Sequence, residues 1–159
     1  MVLSSSNNLV GTAGEYFVCA ELCRRGYLAL LTPKNNPLFD VIASTEDGSK
    51  TISIQVKTRS IGNKQGWKLG KSIIVKRNNP DLFVVLVNLH EEGLPEFYIY
   101  EYDALADVVE KNYRSYMAKP KRDGTKRKDV EFRWHDINLF SEDDHSRKNN
   151  WKLIESRLR

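Results

Sequence analysis

Cysteine is nearly absent from this chain, which removes a class of architectures. Only Cys19 and Cys23 occur in 159 residues. Four apart in a helical stretch, they share a face but cannot anchor a disulfide framework. The three histidines, His90, His135 and His145, are scattered, and none stands at a metal-ligand spacing from a cysteine, which argues against zinc. No apolar run approaches the roughly 20 residues that a membrane span requires. The opening residues, Met-Val-Leu-Ser-Ser-Ser-Asn-Asn, lack the basic-then-apolar order of a secretory signal. The expectation is a cytoplasmic protein with no membrane partner.

What is present suits one ordinary globular domain. Hydrophobic residues make up 40% of the chain and charged residues 29%, enough for a real core, while the length is short for two domains that each fold alone. Within that single domain the pattern suggests a core over about 9–117, a basic loop over 118–130 and a C-terminal extension over 131–159. The net charge of +4 permits a polyanionic partner without demanding one. Its distribution says more. Glu91, Glu92, Glu96, Glu101 and Asp103 cluster, whereas basic residues concentrate at 57–77 and 119–128, so the surface is expected to be polarised in a way that suits nucleic acid.

Val10, Ala13, Phe17, Val18 and Leu22 recur at helical spacing, Ser and Asn residues precede them and Gly26 follows, which predicts a helix over 9–25. Short strands are expected at 27–31, 38–43, 51–58, 82–89 and 97–101, a helix at 103–116 and a final helix within 141–159. Residues 61–79, rich in glycine and charge, and the basic stretch 119–128 read as loops. Gly11-Thr12-Ala13-Gly14 has no strand before it and so is not a phosphate-binding fingerprint; its glycines read as close-packing positions. His135 has no nucleophile at a recognisable spacing, and Tyr98, Tyr100, Tyr102, Trp134 and Trp151 read as packing residues.

One feature asks for a chemical explanation. Asp40 interrupts the apolar run Leu38-Phe39-Asp40-Val41-Ile42-Ala43, where an unpaired carboxylate is costly. If Asp47-Gly48 is a two-residue turn, Ser44 lies opposite Thr51, Ile42 opposite Ser53 and Asp40 opposite Gln55, with Lys57 on the same face. A carboxylate, an amide oxygen and an ammonium then converge, as hydrolysis of a phosphodiester requires: hard oxygen ligands for magnesium and a cation near the developing charge. A polar, solvated sheet face, or simple pairing of Asp40 with Lys57, is the competing explanation. A bulge would shift the register.

These residues resemble the restriction-endonuclease-like, or PD-(D/E)xK, nucleases, which include restriction enzymes and Holliday-junction resolvases. The likeness lies in Asp40, then fifteen residues on Gln55-Val56-Lys57, preceded by Gly11 to Phe17 and Glu21-Leu22, which is similar to the glycine-then-glutamate opening helix of the resolvase branch. It spans roughly residues 9–102. The resemblance implies an α/β fold with a central mixed β-sheet of four or five strands flanked by helices. It implies Asp40 and Gln55 as metal ligands, Lys57 as the catalytic lysine, Glu15 as a further ligand, and coordination by the Val56 carbonyl. The cofactor implied is Mg2+ or Mn2+ and the partner DNA, with RNA an alternative and a homodimer suited to cutting both strands. Two departures stand out. Gln55 replaces the usual acid, as in some restriction enzymes that target modified DNA, and Leu38-Phe39 replaces the nominal proline.

Candidate DNA contacts are Arg59, Lys64, Lys68, Lys71, Lys76 and Arg77 beyond the hairpin and Lys121, Arg122, Lys126 and Arg127 in the basic loop. The function expected is a metal-dependent endonuclease of repair, recombination or restriction. Two other readings stay open: a catalytically inactive nucleic-acid-binding module on the same scaffold, and an interaction subunit of a defence or repair complex.

Overall fold

Ser6 begins the first element as its pattern requires: its hydroxyl accepts the Leu9 N–H at 3.4 Å and starts helix α1, Asn7–Arg24. The helix stops before Gly26, whose φ of +90° favours glycine. This computed structural model describes residues 6–159, so most of the segment read above for a secretory signal lies outside the described residues. Strands β1 (Leu28–Leu31), β2 (Val41–Ser44) and β3 (Thr51–Arg59) follow. Gly48, with φ +71°, and the Asp47 carboxylate, which accepts from the Ser49 N–H at 3.0 Å, build the turn between β2 and β3. The register matches the expectation over the strand: Ser44 faces Thr51 and Ile42 faces Ser53.

The remaining elements are β4 (Gly66–Gly70), β5 (Leu82–Asn88), β6 (Glu96–Glu101), α2 (Tyr102–Ala118), β7 (Phe132–Asp136), α3 (Glu142–Ser146) and α4 (Lys152–Leu158). Five strands form a mixed sheet in the order β1-β2-β3-β5-β6, in which only β3 and β5 run parallel. All seven residues of β5 are buried, as suits a central strand: Leu82 to Val87 are an unbroken apolar run and Asn88 ends it. On one face of the sheet, Val18 and Leu22 of α1 and Trp151, Ile154 and Leu158 of the C-terminal segment pack against Ile52, Ile54, Val56, Val85 and Val87. On the other face, Leu105 and Val109 of α2 join Trp67, Leu69, Val84, Leu86 and the tyrosines 98, 100 and 102. The α/β class, the mixed sheet and the helices on both sides are as expected. No helix among the described residues is long and apolar enough to cross a membrane.

Two features differ from the sequence expectation. Strands β4 and β7 pair antiparallel in a second, two-stranded sheet, where a loop and an unassigned stretch were expected. The C-terminal segment is not an appendage to a core ending near 117, because Trp151 is 2% exposed and meets Phe97 edge to face at 5.1 Å. Trp134, by contrast, lies on the outer side of β7 and is only half-buried. Between the sheets the Tyr100 hydroxyl donates to Asp144 at 2.8 Å and lies 3.0 Å from His135 Nε2. Burial pushes the pKa of His135 down to about 4, so the imidazole is neutral and structural here.

Candidate active site

The apolar run around Asp40 does not continue as a straight strand. Val41 pairs with Ile54, and the Asp40 N–H also donates to the Ile54 carbonyl at 2.9 Å. Two residues therefore oppose one, the count of a β-bulge. Thr32 draws the chain away at this point: its N–H donates to the Asp40 carbonyl at 2.9 Å and its hydroxyl to the Phe39 carbonyl at 3.0 Å. Phe39 is thereby committed to the β1 side, and the Val56 N–H of β3 loses the partner that a regular ladder would give it. The Asp40 carboxylate fills that gap, accepting the Val56 N–H through Oδ2 at 2.8 Å. An ionised acceptor makes such a bond short and strong. The β2–β3 pairing ends at Ile54, so the Val56 carbonyl, on the same strand edge as its N–H, takes no partner from β2.

This corrects the expected convergence. Asp40 does not stand squarely opposite Gln55; it seats on the backbone of the residue between Gln55 and Lys57. From there it lines a cleft of about 370 Å³ with Glu15 and Thr12 of α1, Thr32 and Lys34. Gln55 and Lys57 line a neighbouring cleft with Leu38, Leu69, Arg77 and Tyr102. The structure thus brings Asp40 together with Glu15, and Gln55 together with Lys57, on two sides of one backbone segment. Burial first, and then the negative charge of Asp40, raise the pKa of Glu15 from its ordinary value; Lys34 and Lys57 act in the opposite sense. No ion pair joins Asp40 to Lys57, so the competing explanation of a simple structural pair does not describe this site.

Helix α1 can bring Glu15 close because residue 14 is glycine. A Cβ at Gly14 would lie 1.8 Å from the Thr58 hydroxyl oxygen, an overlap that the chain avoids by having no side chain there. Thr58 Oγ1 is buried with no hydrogen-bond partner among the described residues. Gly11, in contrast, has nothing within 4 Å of a built Cβ, so of these two helix glycines Gly14 alone is a close-packing position. Gly14→Ala should destabilise the fold by about 1–3 kcal/mol through overpacking. A thermal melt of the variant, read beside the wild type, checks this.

The basic residues divide by their partners. Arg59 is held within the fold, donating to Asn88 Oδ1 at 2.9 and 2.7 Å, with its guanidinium 5.3 Å from the Trp67 ring centre. Lys71 pairs with Asp129 at 2.6 Å and Lys76 with Asp107 at 2.8 Å. Lys68 lies over the Phe132 ring at 4.2 Å, and Arg127 over Tyr116 at 4.1 Å. Lys64, Lys121, Arg122 and Lys126 are exposed. Of the ten, only Arg77 lines the cleft of Gln55 and Lys57. Sequence reasoning missed Thr12 and Thr32; Thr12, three residues before Glu15, was discoverable as a neighbour on one helix face.

No known family profile matches the chain, and no curated protein matches it. Among solved structures, a bacterial homing endonuclease, I-Ssp6803I, is similar in fold at a TM-score of 0.56 and 17% sequence identity, over 96% of this chain and 95% of that one. The chain therefore has a nuclease-like fold.

Proposed function

We propose that the protein is a divalent-metal-dependent endonuclease that hydrolyses phosphodiester bonds of DNA. The observation that carries this reading is the Asp40 carboxylate seated on the Val56 N–H at 2.8 Å, with Glu15 in the same cleft and Lys57 one residue further along β3. Burial and the adjacent negative charge of Asp40 both disfavour the ionised form of Glu15, an arrangement that a cation relieves. Among the described residues no three of His, Cys, Asp and Glu gather as a metal-holding group. The donor set is instead two carboxylates, Asp40 and Glu15, with the Val56 carbonyl on the backbone that Asp40 caps, all hard oxygens that fit Mg2+ or Mn2+; Gln55 lines the neighbouring cleft and lies outside this set.

When bound, such an ion polarises a phosphoryl oxygen and acidifies its water. The chain's own contribution is positional. Asp40 is fixed by its backbone hydrogen bond, Glu15 by the close approach of α1, and the Lys57 ammonium offers charge to the scissile phosphate. Arg77, in the cleft of Lys57, is the best placed of the basic residues to orient that phosphate. Incubating plasmid and branched DNA with the protein in magnesium or manganese, beside Asp40→Ala, tests the reading. Cleavage by the wild type that the variant loses supports it, and cleavage by neither contradicts it.

Gln55 favours a second reading, a DNA-binding module without catalysis, because a neutral amide in place of an acid weakens the hold on a cation. The two readings part on one substitution. In an active enzyme, Gln55→Glu should lower the magnesium concentration for half-maximal cleavage by about tenfold, as negative charge added beside the site would. A magnesium titration of cleavage rates reads this directly.

A further inference from the structure

The outer face of the β4–β7 sheet carries an aromatic groove that the nuclease reading does not use. Strand side chains alternate, so Trp67 and Leu69 enter the core while Lys68 stays outside, opposite Trp134. Phe132 shares this outer face. The residues across from Phe132 and Asp136 are Gly70 and Gly66, which place no side chain over them. The last turns of α2 add Tyr116, 51% exposed, and Gln65 and Asn112 stand at the rim of a groove of about 400 Å³.

The chemistry of the walls selects the occupant. Flat π faces dominate rather than the branched aliphatic side chains that receive an amphipathic helix. Cations lie at one end of it: Lys128 lines the groove, the Arg127 guanidinium lies 4.1 Å from the Tyr116 ring centre, and the nearby Asp129 is paired with Lys71 and Arg133, while Asp136, the one carboxylate in the lining, accepts from the Asn138 N–H and side-chain amide. A nucleotide offers the complement in one unit: a π face for the rings, a polar edge for the rim amides and a phosphate for the cations. Gln65 of the groove and Gly70 of the Gln55–Lys57 cleft are five residues apart along the β4 strand, roughly 17 Å, so one DNA strand can meet both.

We propose that this groove binds an unpaired base of single-stranded DNA, stacked on Trp134 and Tyr116, with its edge toward Gln65 and Asn112 and its phosphates toward Arg127 and Lys128. The inference shares DNA as ligand with the nuclease reading and requires no cleavage. The site is therefore one for substrates that expose unstacked bases, such as branched, frayed or gapped DNA.

The test is a titration with oligothymidylate in EDTA, where no cutting occurs, followed by tryptophan fluorescence. Trp67 and Trp151 are each 2% exposed, so Trp134 is the reporter. The expected result is quenching by the oligonucleotide that Trp134→Phe abolishes, and, by anisotropy of a labelled strand, single-strand binding about tenfold weaker in Trp134→Ala than in the wild type. Tyr116→Ala, at an exposed position, should weaken single-strand binding by about tenfold and duplex binding by less than about twofold. Absence of quenching, equal loss of duplex and single-strand affinity in Tyr116→Ala, or self-association that buries Trp134 without DNA would each overturn the proposal. Quenching without cleavage in magnesium refutes the nuclease reading alone, and cleavage without quenching refutes the groove alone.

Discussion

Asp40→Asn should lower DNA cleavage about a thousandfold while leaving the protein folded. Asparagine is nearly isosteric, and its amide oxygen can still accept the Val56 N–H that Asp40 Oδ2 takes at 2.8 Å. The strand departure at the bulge is thus preserved and only the charge is lost. A cation stabilises the transition state of phosphoryl transfer by several kcal/mol, and losing about 4 kcal/mol of it corresponds to three orders of magnitude in rate. Initial rates of plasmid nicking at saturating magnesium measure the effect, with a thermal melt as the control for folding. A variant that melts normally and cuts at the wild-type rate would show that the carboxylate serves only the backbone of β3.

Trp151→Ala carries the largest effect expected on stability. The indole is 2% exposed, packs edge to face on Phe97 at 5.1 Å and lies under the Arg25 guanidinium, whose carbon is 5.3 Å from the ring centre. Truncation of a buried tryptophan costs about 3–5 kcal/mol, because the surrounding side chains cannot close the cavity it leaves. For a chain of this size the melting temperature should fall by roughly 10 °C or more. Urea denaturation followed by circular dichroism gives the free energy directly. A loss below about 1 kcal/mol would mean that the C-terminal segment rests on the core without being part of it.

The hairpin was legible because two independent signals agreed, the Asp-Gly turn and the strict alternation of Ile52, Ile54 and Val56 with polar residues. The bulge at Asp40 was not, since it depends on competition from Thr32, a residue just beyond the end of β1 that no local pattern reveals. Asp40 nevertheless signalled itself by interrupting an apolar run, and the Val56 N–H is the partner that answers it. Strand β4 escaped notice because only Trp67 and Leu69 face the core, too few apolar positions for a period to register. Strand β7 was hidden by inversion: Arg133 and His135 are buried, while Phe132 and Trp134 face outward. That inversion works because Arg133 lies over the Tyr113 ring at 3.5 Å and reaches Asp129 at 3.1 Å, and His135 meets Tyr100. The same reversal leaves the aromatic groove on the surface, so the element hardest to read from the sequence is the one that suggests a second contact with DNA.

The direct measurement of whether this corner of the sheet holds a catalytic ion is an anomalous-scattering experiment on crystals soaked in manganese. The account predicts a manganese peak in contact with the Asp40 carboxylate beside Val56 and Glu15, and its disappearance in crystals of Asp40→Asn. Density for manganese elsewhere on the protein, with none at Asp40, would contradict it.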